Sequence, residues 1–281
     1  MKKTENEAVT KTALASSLGV ARSSLYYVSK KDANDWTMKI RIEEVLRDHQ
    51  AYGSRNIADA LKLNRKRIQR IMRKYGIRPY RRRGRKYRGK KKKTTTFPNV
   101  LLSQGIVPSY RHHVWAADFT EVLHKGKLVY IATVIDLWSR EIVGLSVGTR
   151  KGTVLVMQSL CAALFHHSRP TIFHSDNGTE YAAHAFIAML QNLGVTISRS
   201  HPGCPWENGY QESFYGKFKV DLGDPNRFKT LGELVAEVYL TVWKYNNTRI
   251  HSAHRMPPAL FIKKEALKPQ SHSLNTLRLA V

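Results

Sequence analysis

The protein is a chain of 281 residues with 42% hydrophobic residues and a formal net charge of +26 at pH 7. No stretch approaches the roughly 18 uninterrupted apolar residues that a membrane-spanning helix needs, and the lysines near the start precede no apolar segment of the kind found in export signals. The two cysteines, Cys161 and Cys204, lie far apart and lack zinc-binding spacing, which argues against a disulfide framework or a cysteine-based zinc site. We therefore expect a cytosolic protein, long enough for more than one domain.

The positive charge is concentrated in the first part of the chain. Residues 1–100 contain 28 of the 47 basic residues but only 8 of the 21 acidic ones. A region this basic repels itself unless a polyanion neutralises it, which makes nucleic acid the first candidate partner. A solubilising surface or an anionic membrane are the alternatives, but the charge is interleaved with helix-turn-helix patterns rather than with an amphipathic anchor.

Two small helical units are predicted in this basic region. Residues 11–27 predict two short helices broken at Gly19, which fits a helix-turn-helix and a plain helical hairpin equally well. Three helices are predicted after residue 35, the first over 36–49 and the third capped by Asn64 and closed by Gly76. The third helix carries six basic side chains, Arg65, Lys66, Arg67, Arg70, Arg73 and Lys74. We predict that it lies in the major groove of DNA; an ordinary bundle with a solvated basic face is the alternative.

A run of basic residues follows. Residues 81–93, RRRGRKYRGKKKK, hold ten basic side chains in thirteen positions, and such a run is expected to be disordered on its own. We expect it to act as a linker that follows DNA phosphates with little sequence preference. Its candidate DNA contacts are Arg81, Arg82, Arg83, Arg85, Lys86 and Arg88.

From about residue 108 the pattern changes to strands and helices. VWAADFTEVL, KLVYIATVID and EIVGLSVGT predict an antiparallel meander, with the first turn at Lys125 and Gly126. Helices and short strands alternate after it, and a long amphipathic helix is predicted over residues 231–247. The order of elements predicts an α/β sheet with helices packed on it.

Three acidic residues in this region are candidates for a metal site. Asp118 lies within a largely apolar strand, Asp176 ends a predicted strand, and Glu212 lies on a helix after a loop rich in proline and glycine. Each has an ordinary alternative role, as a buried salt-bridged acid, an Asx turn and a surface glutamate respectively. Together they have the donor chemistry for two Mg²⁺ ions, which in phosphodiester chemistry activate the attacking oxygen and stabilise the leaving one. A fourth acid, Asp136, is expected to pair with Arg140 or to cap a turn.

Four segments in a fixed order carry a family resemblance. They are WAADFTEV, LVYIATVIDLWSREIVG, HSDNGTEY and HPGCPWENGYQESFYGKFK, with thirty-five residues between Asp176 and Glu212. They resemble the DDE transposases related to retroviral integrases, in particular the second-frame (OrfB) transposase of the insertion-sequence-three family. The likeness extends to YNNTRIHSAHRMPPALF and back to AYGSRNIADAL, so that it covers about residues 11 to 265.

The resemblance implies a fold, a chemistry and partners. The implied fold is an α/β ribonuclease-H-like core, with a mixed five-stranded sheet and flanking helices, preceded by small all-α helix-turn-helix units. Asp118, Asp176 and Glu212 would be the catalytic, metal-binding triad. With Mg²⁺, or Mn²⁺ in its place, the enzyme would cleave DNA at the inverted repeats of an insertion sequence and join the freed 3′-OH to another strand. Double-stranded DNA, further copies of the chain and a first-frame protein or segment are the implied partners.

Residues near the three acids are expected to assist. Four of them would orient the acids, position the last helix or touch DNA: His174, Asn177, Trp206 and Asn208. For the first two, a structural role is an equally open alternative. Lys219 lies seven residues after Glu212, on the same helical face, and is expected to hold a phosphate, whereas Lys217 is less well aimed.

The predicted domains are a short helix-turn-helix-like unit (1–30), a helix-turn-helix DNA-binding domain (36–80), a basic linker (81–107), the catalytic core (108–265) and a tail (266–281). The leading hypothesis is an active transposase. One alternative is a catalytically silent DNA-binding regulator of transposition. Another is a ribonuclease-H-like nuclease that cuts without joining.

Overall fold

The computed structural model describes residues 10–26, 31–80 and 97–268. The predicted basic run 81–93 and most of the predicted tail lie outside these residues. The first described segment contains α1 (Lys11–Ser17) and a short 3-10 helix (Arg22–Tyr26). Gly19 separates them with a φ of 64°, a conformation that glycine adopts without steric cost, so the predicted break in the helix is confirmed.

A three-helix unit follows, formed by α2 (Lys31–Asp48), α3 (Ser54–Leu61) and α4 (Arg65–Lys74). Its core contains Ile42, Ile57 and Ile68, all fully buried. The predicted cap is confirmed, because the Asn64 side chain accepts a hydrogen bond from the backbone N–H of Lys66 at 2.8 Å. The helix predicted over 36–49 begins earlier, at Lys31.

A mixed five-stranded sheet forms the centre of the rest of the described chain. A short helix, α5 (Val100–Ser103), precedes it. The strands are β1 (Val114–His124), β2 (Lys127–Asp136), β3 (Ile142–Gly148), β4 (Ile172–Ser175) and β5 (Thr196–Arg199). Their order is β3-β2-β1-β4-β5, with β1 to β3 antiparallel and β4 and β5 parallel to β1. The predicted meander is confirmed, and the sheet is the one expected of a ribonuclease-H-like core.

Five helices accompany the sheet: α6 (Thr153–His166), α7 (His184–Asn192), α8 (Gly209–Leu222), α9 (Leu231–Asn247) and α10 (Pro258–Ala266). Each face of the sheet has its own hydrophobic cluster, because alternate residues of a strand point to opposite faces. Ala116 of β1 packs with residues of α8 and α9, and Trp115 packs with residues of α6 and α7. Within the described ranges, no helix is long and apolar enough to cross a membrane.

The three-helix unit contacts the core through the segment after α9. The Tyr52 hydroxyl accepts a hydrogen bond from the backbone N–H of Ile250, and the Asn56 side chain donates one to the Ile250 carbonyl at 3.3 Å. Asp59 forms an ion pair with Arg255. A cleft of about 530 Å³ lies beside this contact, between Tyr80 and Lys219.

Candidate active site

Asp118 and Asp176 lie side by side on neighbouring strands. In the parallel pairing of β1 with β4, Ala117 is opposite Ser175. The next residues along the two strands are Asp118 and Asp176, so both carboxylates emerge at the same level near the carboxyl end of β4. In open α/β sheets this end of the strands is where ligands bind.

Glu212 lies in the first turn of α8, and buried polar side chains tie this helix to β1. Gln211 donates hydrogen bonds to the carbonyls of Ala116 at 2.6 Å and Thr133 at 3.3 Å. The Tyr215 hydroxyl donates to the Asp118 carbonyl at 2.7 Å. Because buried polar groups are costly unless hydrogen-bonded, these contacts hold the start of α8 in register with β1.

The three acids, which we call the acidic site, act on one another electrostatically. Burial raises the pKa of Asp118 to about 7, and the negative charges of Asp176 and Glu212 add to the rise. A hydrogen bond from the Phe119 N–H and the positive charge of Lys219 oppose it. Burial is also the main cause that raises the pKa of Asp176. Keeping these carboxylates ionised side by side therefore costs free energy, and a bound cation would reduce this electrostatic repulsion.

A further carboxylate, that of Glu180, lies near Asp176 and was not among the predicted site residues. A Cβ placed on Gly178 would be 2.9 Å from both Asp176 Oδ1 and Glu180 Oε2, so a larger residue there would force these two carboxylates to shift. Glu180 Oε1 pairs with Lys151 Nζ at 3.1 Å, whereas Oε2 is buried and has no hydrogen-bond partner among the described residues. The segment HSDNGTEY contains this glutamate, and a count of its acids would have flagged it.

The donor set of the acidic site fits a hard divalent cation, because carboxylate oxygens are the ligands that Mg²⁺ prefers. In this structure, however, the side chains are too far apart to form a complete metal site. Over residues 10–26, 31–80 and 97–268, no three His, Cys, Asp or Glu side chains lie close enough together to hold a metal ion. The Glu212 side chain is exposed to solvent, so it has room to turn towards the two aspartates.

The four candidate assisting residues have different surroundings. His174 is buried, its Nδ1 lies 3.0 Å from Ser198 Oγ, and burial lowers its pKa to about 4. The Asn177 side chain donates to the Ser200 carbonyl, and that of Asn208 donates to the Ala117 carbonyl at 3.2 Å. Trp206 is 69% exposed. Asn208 thus contacts the strand that carries Asp118, while Trp206 is open to a ligand.

The basic side chains of α4 divide into two groups. All six are exposed to solvent, but Arg65, Lys66, Arg67 and Arg73 form no ion pair with an acidic side chain of the described residues. Arg70 and Lys74 instead turn towards α2, where Arg70 Nη1 lies 2.7 Å and Lys74 Nζ 2.9 Å from Asp35 Oδ2. Hydrogen bonds from these two cations hold the pKa of Asp35 well below its usual range.

The two lysines of α8 point to different surroundings. The charge of Lys219 acts on Asp118, which places this lysine beside the acidic site. Lys217 is half-buried, and burial is the main cause that lowers its pKa, with a further effect of Arg249. The predicted DNA contacts Arg81, Arg82, Arg83, Arg85, Lys86 and Arg88 lie outside the described residues.

Comparisons with known proteins agree with this fold. Residues 108–205 and 193–258 match two models, each described as an integrase core domain. The transposase for insertion sequence element IS904 of Lactococcus lactis subsp. lactis (strain IL1403) is 30% identical over 236 residues, which are 80% of this chain and 92% of that protein. Transposase InsF for insertion sequence IS3A of Escherichia coli (strain K12) is 30% identical over 216 residues, 73% of this chain and 74% of that protein.

Solved structures are similar as well. The catalytic core domain of HTLV-2 integrase in complex with magnesium (trimeric form) is 16% identical and covers 60% of this chain and 99% of that chain, with a TM-score of 0.44. A simian T-cell lymphotropic virus intasome in complex with PP2A regulatory subunit B56 gamma is 18% identical, with 82% of this chain and 75% of that chain covered and a TM-score of 0.49.

The sheet order and the matched domain models define a protein with an integrase core. The 30% identity to two transposases of insertion sequences narrows this class from integrase cores in general to transposases. The chain belongs to the transposases of the insertion-sequence-three family.

Proposed function

We propose that the protein cleaves DNA at the terminal inverted repeats of an insertion sequence and joins the freed 3′-OH ends to target DNA. The observation that carries the proposal is the placement of Asp118 and Asp176 at one level of adjacent strands, with the charge of Glu212 acting on Asp118. Such a set of carboxylates suits metal-assisted phosphodiester chemistry.

In the proposed mechanism Asp118, Asp176 and Glu212 would hold Mg²⁺, as two ions. Bound there, Mg²⁺ would supply activation of the attacking oxygen and stabilisation of the leaving oxygen. Gln211 and Tyr215 keep α8 in register with β1, so Glu212 stays near Asp118. Lys219, beside the acidic site, would hold a DNA phosphate. The chemistry needs no covalent bond between protein and DNA.

DNA binding would begin in the amino-terminal half of the chain. The four basic residues of α4 that lie outside its ion pairs with α2 offer an exposed surface that matches the phosphate backbone. The cleft beside Lys219 reaches Tyr80, and the basic run starts at the very next residue of the chain. A duplex could therefore contact the three-helix unit and the acidic site together.

Transposition requires two ends of one element in a single complex, so we also propose that the protein works as an oligomer on paired ends. A first-frame protein or segment is a further proposed partner. The assembly of the simian T-cell lymphotropic virus intasome is a property of that viral protein and does not support this proposal. Because its proposed substrate is bacterial DNA, the protein would act in the bacterial cytoplasm.

The test uses an oligonucleotide that carries the inverted repeat next to the gene. We expect protein and Mg²⁺ to yield 3′-end cleavage and joined strands, and Asp118→Asn to remove both products. Glu237→Gln is the matched control, because Glu237 lies on α9 and forms a long ion pair of 3.5 Å with Arg227. Nicked DNA without joined strands would identify a nuclease instead. Tight binding without any product would indicate a silent regulator or a missing first-frame partner.

A further inference from the structure

Arg140, in the turn between β2 and β3, has a guanidinium group that lacks acceptors. Its Nε and Nη1 atoms are buried and have no hydrogen-bond partner among the described residues. The side chain as a whole is half-buried, so part of it reaches solvent. Buried charged donors without an acceptor are rare in folded proteins and need an explanation, such as a ligand or ion.

The turn that carries Arg140 is held firmly. The Asp136 carboxylate accepts hydrogen bonds from the backbone N–H groups of Trp138 at 2.9 Å and Ser139 at 2.8 Å. The Asp136 carbonyl accepts a third from the N–H of Arg140 at 2.8 Å. Arg140 has a φ of 66°, an unusual conformation for a residue other than glycine. The orphaned guanidinium is therefore placed by a capped turn, in which Asp136 plays the predicted capping role.

The surroundings of Arg140 are rich in positive charge. The pKa of His251 is lowered to about 3, first by burial and then by the charges of Lys217 and Arg140. His254 lies beside it, with ring centroids 5.8 Å apart, and its Nε2 is also buried without a hydrogen-bond partner in the described ranges. Arg249, also nearby, is neutralised by an ion pair with Asp221. We call Arg140, Tyr210, Lys217, His251 and His254 the Arg140 cluster.

The Arg140 cluster and the acidic site use different faces of α8. Tyr210 and Lys217 are seven residues apart and share one helical face, while Glu212 and Lys219 share a second face about 200° around the axis. The guanidinium carbon of Arg140 lies 4.0 Å from the centre of the Tyr210 ring. Tyr210 is 45% exposed, so its ring can move aside for a ligand that approaches the guanidinium.

We propose that the Arg140 cluster is a binding site for a phosphate of the DNA backbone, held by Arg140 and Lys217. The proposal rests on the proposed function and adds a second grip on DNA to it. A phosphate supplies the acceptors that Nε and Nη1 lack, and the planar guanidinium matches its oxygens. The phosphate could belong to the element end or to the target duplex, and the two sources make different predictions.

The first experiment measures DNA affinity against salt concentration by fluorescence anisotropy, on the full chain. Arg140→Gly is the main variant, because glycine relieves the φ of 66° while it removes the guanidinium. We expect several-fold weaker binding and a slope of log K against log salt that is lower by about one. Arg169→Gly is the matched control: Arg169 is exposed just before β4, at the opposite end of that strand from Asp176, and donates to the Gly194 carbonyl at 3.0 Å.

An unchanged slope in Arg140→Gly, with an unchanged melting temperature, would overturn the proposal. If that variant fails to fold, Lys217→Met keeps most of the buried stem of the side chain and should lower the slope in the same way. An unchanged slope in a folded Lys217→Met would then overturn it.

The second experiment separates the two sources of phosphate. Arg140→Gly is assayed for cleavage on an intact element end and for joining on a pre-cleaved one. Loss of joining alone assigns the site to target DNA, and loss of both cleavage and joining assigns it to the element end; both outcomes support a phosphate site. If the wild-type chain neither cleaves nor joins but Arg140→Gly still lowers the slope, the site stands and the proposed function fails. If the wild type transposes but Arg140→Gly leaves the salt slope unchanged, the proposed function stands and the phosphate site fails.

Discussion

The three-helix unit and the integrase core each hold an aspartate withdrawn from solvent, the buried Asp35 and the half-buried Asp118, but in opposite electrostatic surroundings. In the unit, Asp35 is only 3% exposed and is surrounded by the cations Arg70 and Lys74. In the core, Asp118 is surrounded by other acids, and its pKa is raised to about 7. The first arrangement stabilises the fold, whereas the second costs stability in the absence of a cation. Clustered like charges that the fold must maintain are a mark of a functional site rather than of a structural one.

The largest effect is expected from Asp176→Asn. If the acidic site holds the metal, removal of one carboxylate should lower cleavage and joining by on the order of a thousandfold or more, since metal catalysis contributes several kcal/mol. DNA affinity should stay near that of the wild type, because the basic surfaces are unchanged. Gel assays of cleavage and strand transfer, with anisotropy for binding, check both points. Substantial turnover in the mutant would remove Asp176 from the metal site.

Replacement of aspartate by asparagine should have opposite effects on stability at Asp118 in the core and at Asp35 in the three-helix unit. Asp118→Asn removes a buried charge that its neighbours repel, so at pH 8 and without metal we expect an increase on the order of 2 kcal/mol in the free energy of unfolding. Asp35→Asn leaves Arg70 without its acidic partner and Lys74 with Asp32 alone, and should lower the melting temperature. Urea or thermal denaturation of the two variants, side by side, makes the comparison. A loss of stability in both would mean that Asp118 is a structural acid.

The residues that distinguish the two regions show which parts of this structure the sequence could predict. The meander, the turn at Lys125 and the Asn64 cap follow from local periodicity and turn chemistry, and all were predicted. The partner of Arg70 was missed because α2 begins at Lys31, so that the turn containing Asp35 was left out of the predicted helix. Contacts of this kind depend on packing between distant segments, which periodicity does not report.

Around the acidic site, too, the sequence could not predict contacts between distant segments. The order and spacing of the acids could be read from motifs. The ion pair of Glu180 with Lys151 and the hydrogen bonds of Gln211 beneath Glu212 could not, because they join separate helices, strands and loops. The contact of Tyr52 with Ile250 spans 198 positions of sequence and was equally out of reach.

The junction between the two regions should respond to acid through His49. Burial lowers the pKa of His49 to about 4, and its ring stacks on Tyr52 with centroids 4.5 Å apart. Because the unfolded chain binds this proton near pH 6.5 and the folded chain only near pH 4, the stability contributed by the neutral ring is present above pH 6.5 and is lost as the pH falls towards 4. We expect a loss of about 2 kcal/mol, after allowance for partial exposure.

His49→Phe keeps the ring on Tyr52 and removes the titration. Its free energy of unfolding should therefore fall less than that of the wild type between pH 6.5 and 4, as measured by denaturation at each pH. Equal losses in the two proteins would assign the acid sensitivity to other groups.

The smallest effect is expected on DNA affinity, from substitution of an α4 arginine that has no acidic partner compared with one that is paired with Asp35. Arg73 is exposed, while Arg70 is engaged by Asp35. If α4 contacts DNA phosphates, Arg73→Ala should weaken binding a few-fold and lower the salt slope by about one. Arg70→Ala should change the slope little and lower the melting temperature instead, because it leaves a buried carboxylate with one cation fewer. Anisotropy titrations over a range of salt, with melting curves of both variants, test the distinction. An equal fall in slope for both would show that Arg70 leaves Asp35 when DNA binds, so that the pairing in this helical unit would itself be part of DNA recognition.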